Sequence, residues 1–264
     1  MKHKHYDTIV LGATFLGAGI ALCAHGSVLV IERTALIGSE FVDSLNDQPA
    51  IGMPIGSEIG RRYEKALVAR HLVDARGNLY AAPSMFVLCD MLKHSAVDLL
   101  LSSEIVCINQ SAGQYEVMIF NCDGWSVFYT DTLIDTTSQG VQHQTAANVG
   151  IKKALNVIVH HESAAPPAVN ELWTNPITGK SIFSLPVGAD DDWLAARQRL
   201  YAYFASQDCP LAGWKIAYTA TSFAYRFSPT DMSLDDGHRW VPSCSYHDLL
   251  HAFDKGGILC ESMN

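Results

Sequence analysis

Residues 7 to 33, DTIVLGATFLGAGIALCAHGSVLVIER, constrain the fold more than any other stretch of this chain. The apolar run Ile9-Val10-Leu11 meets a glycine turn, Gly12-Ala13-Thr14-Phe15-Leu16-Gly17. A small-residue helix is expected next, followed by a second apolar run, Val28 to Ile31, that closes on Glu32. Short apolar runs bounded by turn signals read as buried strands. The whole reads as a βαβ unit with an acid 20 residues after the first glycine, the layout of a dinucleotide-binding fingerprint. Gly12 permits the tight strand-to-helix turn, and Gly17 lets helix and strand pack closely. The free N–H groups at the helix start face a pyrophosphate, helped by the helix dipole, and Glu32 is placed to accept hydrogen bonds from a ribose. Thr14 stands where the second glycine belongs: its Cβ narrows the approach, while its hydroxyl can donate to a phosphate oxygen.

The basic start Met1-Lys2-His3-Lys4 before an apolar stretch also has the form of a signal peptide. Asp7, the four glycines of the stretch, Leu22 before Cys23 and the second strand ending on Glu32 favour the nucleotide unit instead.

A chain of 264 residues buries a full core, as one large domain or two interleaved ones. With 48% apolar and 17% charged residues it is globular. The net charge of −9 argues against nucleic acid or an anionic membrane as the main partner. No apolar run reaches the ~20 residues of a spanning helix. The seven cysteines are scattered without a C-x-x-C, which excludes a dithiol or zinc ribbon of the usual spacing. Reduced thiols and a cytoplasmic location are expected.

Along the chain, Ser57 caps an expected helix through Leu72, whose Arg61, Arg62, Lys65 and Arg70 form a solvated basic face. A helix over Pro83 to His94 carries Met85, Phe86, Leu88, Cys89, Met91 and Leu92 at helical spacing, a core stripe. Strands are expected at 97–101, 105–108, 115–121 and 125–129, with Asp123-Gly124 as a hairpin turn. Thr132 to Asp135 then reads as a strand leading into the polar turn Thr136 to Gly140. The block 154–226 has a strand at 155–161, a hairpin at Asn175 to Gly179, a helix capped at 190–192 that runs to about Ser206, and a β-rich run from Trp214 to Phe227. The tail holds a turn at 235–237 and a short helix, Tyr246 to Phe253, stopped by Gly256-Gly257.

This order of pieces resembles the FAD-dependent oxidoreductases of the glutathione-reductase structural class. The resemblance rests on the opening βαβ unit ending in Glu32, the E-R-x-x-x-x-G loop Glu32-Arg33 through Gly38, the helix at 83–94, the strands at 115–129, and the strand Leu133-Ile134-Asp135-Thr136-Thr137-Ser138. It covers roughly residues 5–45 and 83–140 in ordered form, and weakly the last 25. It implies an α/β chain with a Rossmann-like FAD-binding domain carrying a three-stranded β-meander, at residues 1–150 and 230–264, and a smaller β-rich α+β substrate or cap domain at 151–229. The cofactor implied is FAD. Gly12, Thr14 and Gly17, with the amides of Phe15 and Leu16, would hold the pyrophosphate. Glu32 would bind the ribose, and Arg33 would lie over the adenine. Ser39 would sit toward the flavin, Ile105 or Val106 at the adenine edge, and Thr137-Ser138 near the cofactor's middle. Ser138 departs from the family glycine. The segment Trp240 to His247 takes the place of the family's last flavin-contacting segment.

His247-Asp248-Leu249-Leu250-His251 mimics the zinc phrase H-E-x-x-H, but Asp is a shorter arm and no third ligand lies nearby in sequence, so no metal is expected. His160-His161 lies on a strand, which sends the two rings to opposite faces. Substrate contacts are expected from 154–226, with His160, Tyr218, Tyr225 and Arg226 as polar candidates, and no catalytic acid or base is identified. The expected function is an FAD-binding oxidoreductase acting on a small molecule, with no second glycine fingerprint for a separate nicotinamide domain. The alternatives are an NAD(P)-dependent Rossmann dehydrogenase, which lacks its Tyr-x-x-x-Lys pair here, and a non-catalytic nucleotide-binding subunit.

Overall fold

The computed structural model describes residues 3–47, 54–111, 113–138, 152–162, 166–226, 232–235 and 237–263. In chain order the first elements are β1 (His3–Leu11), α1 (Phe15–Cys23), β2 (Val28–Ile31), α2 (Ser39–Val42), α3 (Glu58–Ala69), α4 (Ala81–Lys93), β3 (Asp98–Leu100), β4 (Glu104–Ser111), β5 (Gln114–Asn121) and β6 (Gly124–Asp135). A second group follows: β7 (Lys152–His160), β8 (Leu172–Thr174), β9 (Ser181–Val187), α5 (Trp193–Ala205), β10 (Lys215–Thr219) and β11 (Ala224–Arg226). The chain then returns through β12 (Met232–Asp235) and β13 (His238–Trp240) to α6 (Leu249–Met263).

The first sheet has the order β12-β13-β6-β1-β2-β3, with β5 on β6 and β4 on β5. The pairs β1–β2, β2–β3, β1–β6 and β6–β13 are parallel. Side chains alternate across a strand, and here both faces are covered. Val10, Val28, Val30 and Ile134 pack with the helical layer, where α1, α3, α4 and α6 supply Leu16, Leu67, Leu88 and Phe253. Ile9, Leu11, Leu29, Ile31 and Leu133 pack against the antiparallel β4–β5–β6 meander. Two buried faces explain why these strands read as continuous apolar runs.

Residues 125–129 and 132–135 form one strand, not two. Thr130 is fully buried inside it, its hydroxyl donating to the Asp7 and Thr132 carbonyls at 3.2 and 2.9 Å. Satisfied this way, a polar residue continues the strand instead of ending it. The α4 stripe is core at Leu88 and Leu92, half-buried at Met85 and Met91, and open at Phe86, which is 67% exposed. The caps of α3 and α5 are as the sequence implies: Ser57 Oγ accepts the Gly60 N–H, and an Asp192 carboxylate oxygen accepts the Ala195 N–H.

The expected stop at Gly256-Gly257 does not occur, and α6 runs through both glycines. Their role is close approach. A Cβ at Gly256 would lie 2.2 Å from the Leu16 carbonyl oxygen, and one at Gly19 2.1 Å from that of Phe253. Only hydrogens on both helices allow α1 and α6 to cross at this distance. No helix among the described residues is long and apolar enough to cross a membrane.

The second sheet, β10-β7-β9-β8 with β11 also on β7, is antiparallel and packs α5 on its Leu155, Val157 and Phe183. Residues 43–47 tie it to the first unit. The Asp43 carbonyl accepts the Thr221 N–H at 2.9 Å, the Ser44 carbonyl accepts Asn156 Nδ2 at 2.7 Å, and the Asp47 carbonyl accepts Trp173 Nε1 at 2.9 Å. The expected domain junction near residue 150, residues 139–140 of the second motif, Phe227 and Asp236 lie outside the described residues.

Candidate functional site

A helix leaves its first N–H groups without intrahelical partners, and the start of α1 shows how this sequence satisfies them. The chain turns off β1 at Gly12, with φ +91°, and enters α1 at Phe15. The Gly17 N–H donates to Thr14 Oγ1 at 2.9 Å, a side-chain cap. The Thr14 hydroxyl in turn donates to Thr136 Oγ1 at 2.7 Å, and Thr136 donates to the Leu11 carbonyl at 2.9 Å. The Thr14 hydroxyl, expected to face a phosphate, is here turned to Thr136, just past the end of β6. A Cβ at Gly17 would meet the Gly12 carbonyl oxygen at 2.4 Å, so the close helix–strand approach needs glycine there.

The two remaining amides hold side chains from far along the sequence. Phe15 N–H donates to Glu40 Oε1 at 2.8 Å, and Leu16 N–H donates to Ser243 Oγ at 3.3 Å. The Ser243 hydroxyl donates to the same Glu40 Oε1 at 2.7 Å. Glu40 Oε2 is sealed from solvent with no hydrogen-bond partner among the described residues. Burial pushes the Glu40 carboxyl up to about 7, opposed by the Phe15 and Ser243 hydrogen bonds. One carboxylate thus sits on the anion position of the helix N-terminus.

At the other end, Glu32 is 7% exposed. Its Oε2 accepts the Ala13 N–H at 2.9 Å and its Oε1 the Thr34 N–H at 2.8 Å. Each oxygen retains a further lone pair. Glu32 and seven other expected residues, Gly12, Thr14, Arg33, Ser39, Ile105, Thr137 and Ser138, line one cleft of about 590 Å³. Phe15, Leu16 and Gly17 are buried behind it, presenting amides. Val106 stands apart: it is 47% exposed, at the bulge between Ile105 and Cys107 where β4 loses register with β5.

Sequence reasoning missed Glu40, Asp43 and Glu104, which also line the cleft. Glu40 follows Ser39 directly, but nothing local marks it. Asp43 is raised by burial first and by Glu32 second. Ser243 belongs to the carried-over segment, which gave a position without naming the residue. The second unit contributes an aromatic wall of Trp193, Phe223 and Tyr225. Trp193 meets Phe223 edge-on at 5.1 Å, and Lys153 Nζ lies 4.1 Å over the Phe223 ring. Of the four substrate candidates only Tyr225 lines the cleft, whereas His160, Tyr218 and Arg226 are exposed elsewhere.

The H-D-L-L-H phrase is a helix cap. Asp248 Oδ1 accepts the Leu250 and His251 N–H groups at 3.0 Å each, and Oδ2 lies 2.5 Å from His251 Nδ1. Among the described residues no group of three or more His, Cys, Asp or Glu could hold a metal ion. Cys244 sits beside Ser243, and burial pushes its thiol up to about 12.

The donor set suits a dinucleotide. The α1 amides already hold a carboxyl group, and the cleft runs from Thr14, the cap of α1, to the acid at the end of β2.

No protein-family model and no curated protein sequence matches the chain. Solved structures do. A geranylgeranyl bacteriochlorophyll reductase-like protein from Thermoplasma acidophilum matches with a TM-score of 0.65 at 12% identity, over 98% of this chain and 78% of that one. Glycine oxidase from Geobacillus kaustophilus matches with a TM-score of 0.63 at 13% identity, over 97% and 94%. Glycerol-3-phosphate dehydrogenase from Bacillus halodurans, in complex with FAD, matches with a TM-score of 0.58 at 11% identity, over 98% and 64%. The likeness shows the fold: a Rossmann-like unit with a smaller β-rich unit.

Proposed function

We propose that this chain is an FAD-binding oxidoreductase that passes a hydride or electron pair between a small-molecule substrate and the flavin. The observation that carries the reading is the cleft joining Glu32, at the end of β2, to the N-terminus of α1 and the end of β6. Among the structures this chain is similar to, the Bacillus halodurans dehydrogenase was solved with FAD and the Cytophaga hutchinsonii protein is a flavoprotein/dehydrogenase. The finer placement in the glutathione-reductase structural class rests on the order of the Glu32-Arg33 loop, the β4–β5–β6 meander and the strand ending Asp135-Thr136-Thr137-Ser138.

Glu32 accepts from the adenosine ribose, Arg33 lies over the adenine, and the backbone of Ile105 meets its edge. Phe15 and Leu16 donate amides to the pyrophosphate, with Gly12 and Thr14 beside it. Ser39, Thr137 and Ser138 border the middle and flavin end. Bound FAD supplies the redox chemistry, and protein supplies orientation and electrostatics. Residues 1–150 and 230–264 form the nucleotide unit in this reading, and 151–229 the substrate unit, whose Trp193, Phe223 and Tyr225 present an aromatic wall of edge-on rings to whatever enters.

Titrating the purified chain with FAD and, separately, with NADH tests the reading. Saturable FAD binding that adenosine competes away is expected. Tight NADH binding with none of FAD overturns it in favour of a nicotinamide dehydrogenase.

A further inference from the structure

Glu40 lies where the cofactor's most highly charged part would lie. Its Oε1 takes the Phe15 N–H and the Ser243 O–H, and Ser243 takes the Leu16 N–H. Both amides that a pyrophosphate would use are therefore engaged by one carboxylate and its hydroxyl partner. We propose that Glu40 is an internal competitor for this subsite, so that FAD seats its pyrophosphate only when the Glu40 side chain gives up the Phe15 N–H. The proposal rests on the FAD reading above.

Three features argue for a side-chain gate. Ionised Glu40 offers the α1 amides the same oxyanion chemistry as phosphate, so the two compete for the same donors and repel each other. Oε2 is sealed and has no hydrogen-bond partner among the described residues, which leaves the ionised form poorly compensated. The backbone around it is anchored, since the Asp43 and Ser44 carbonyls are bonded to Thr221 and Asn156 of the second unit. Displacement therefore falls to the Glu40 side chain, not to α2.

The titratable groups that face Glu40 are Glu32 from the end of β2, Tyr63 from α3 and Cys244 from the turn before α6. Asp43, Glu104 and Arg33 line the same cleft, and no described histidine does. With Glu40 titrating at about 7, its neutral fraction falls from about nine-tenths at pH 6 to about one-tenth at pH 8. Apparent affinity scales with the competent fraction, so FAD binding weakens about tenfold across this interval.

The test is calorimetric titration of the full chain with FAD and with adenosine, at pH 6 and pH 8, on wild type and Glu40→Gln. Adenosine reaches the Glu32 end alone and controls for that acid, and Glu40→Gln controls for the others of the cleft. Wild type binding FAD about tenfold more weakly at pH 8, a Glu40→Gln variant without that loss, and adenosine unchanged throughout support the gate. Equal wild-type FAD affinity at the two pH values, or a loss that persists in Glu40→Gln, overturns it. Adenosine binding without FAD binding in either protein overturns the FAD reading, and the gate with it. Binding of neither ligand overturns the FAD reading and the gate together.

Discussion

Glu32 and Glu40 are both acids at the rim of one turn, and each accepts a backbone N–H from it, Glu32 from Ala13 and Glu40 from Phe15. They differ in how their two oxygens are used. Glu32 has an amide on each oxygen, Ala13 on one and Thr34 on the other. Glu40 gathers both its donors on Oε1 and leaves Oε2 sealed, without a partner among the described residues. Burial therefore raises Glu40 to about 7. The difference teaches that hydrogen bonds offset the burial of a carboxylate only at the oxygens they reach. Glu32 is built as a fixed acceptor, and Glu40 as one that can let go.

The comparison breaks most completely if α1 moves, because the turn that begins it supplies donors to both acids. Gly256→Leu would drive a side chain into the Leu16 carbonyl, where even a Cβ is 2.2 Å away. A loss of about 3 kcal/mol in denaturant unfolding is expected. An unchanged midpoint would mean that α1 and α6 do not cross this closely.

The next largest effect sharpens the contrast through pH. Glu40 in the folded chain holds its proton up to about 7, against an ordinary 4.5. Between those values the folded state binds more protons than the unfolded one, so stability falls as pH rises. The contribution is fully present below about pH 4.5 and lost once pH passes 7. From pH 5 to pH 8 wild type should lose about 2 kcal/mol more than Glu40→Gln. Parallel stability profiles for the two proteins would place Glu40 in water.

Glu32→Ala is the smallest of the three. It removes an acceptor from FAD and from the Ala13 and Thr34 amides, and FAD affinity should weaken by about 1.5 kcal/mol. Unchanged affinity by calorimetry would move the ribose to another residue.

Local chemistry carried much of this fold into the sequence. The strand-turn-helix at Leu11 to Gly17, the meander around Asp123-Gly124 and the Asp192 cap each depend on residues a few positions apart, which a linear reading sees. The gate does not. Glu40 and Phe15 are 25 residues apart, and Ser243 is 227 from Leu16, so their meeting depends on α2 and the turn before α6 being folded against α1. Gly256 was misread for a related reason: local propensity marks a helix end, while the neighbouring helix demands a missing side chain. His160, Tyr218 and Arg226 were read for their polarity on strands, yet only sheet register decides which face a strand residue takes, and β10 shifts register between Ile216 and Tyr218.

The most direct test of the central claim is the visible absorption spectrum of the purified chain, loaded with excess FAD at pH 6 and then desalted. Flavin bands retained at about one FAD per chain are the expected result. A spectrum without them would contradict the assignment of this cleft to FAD.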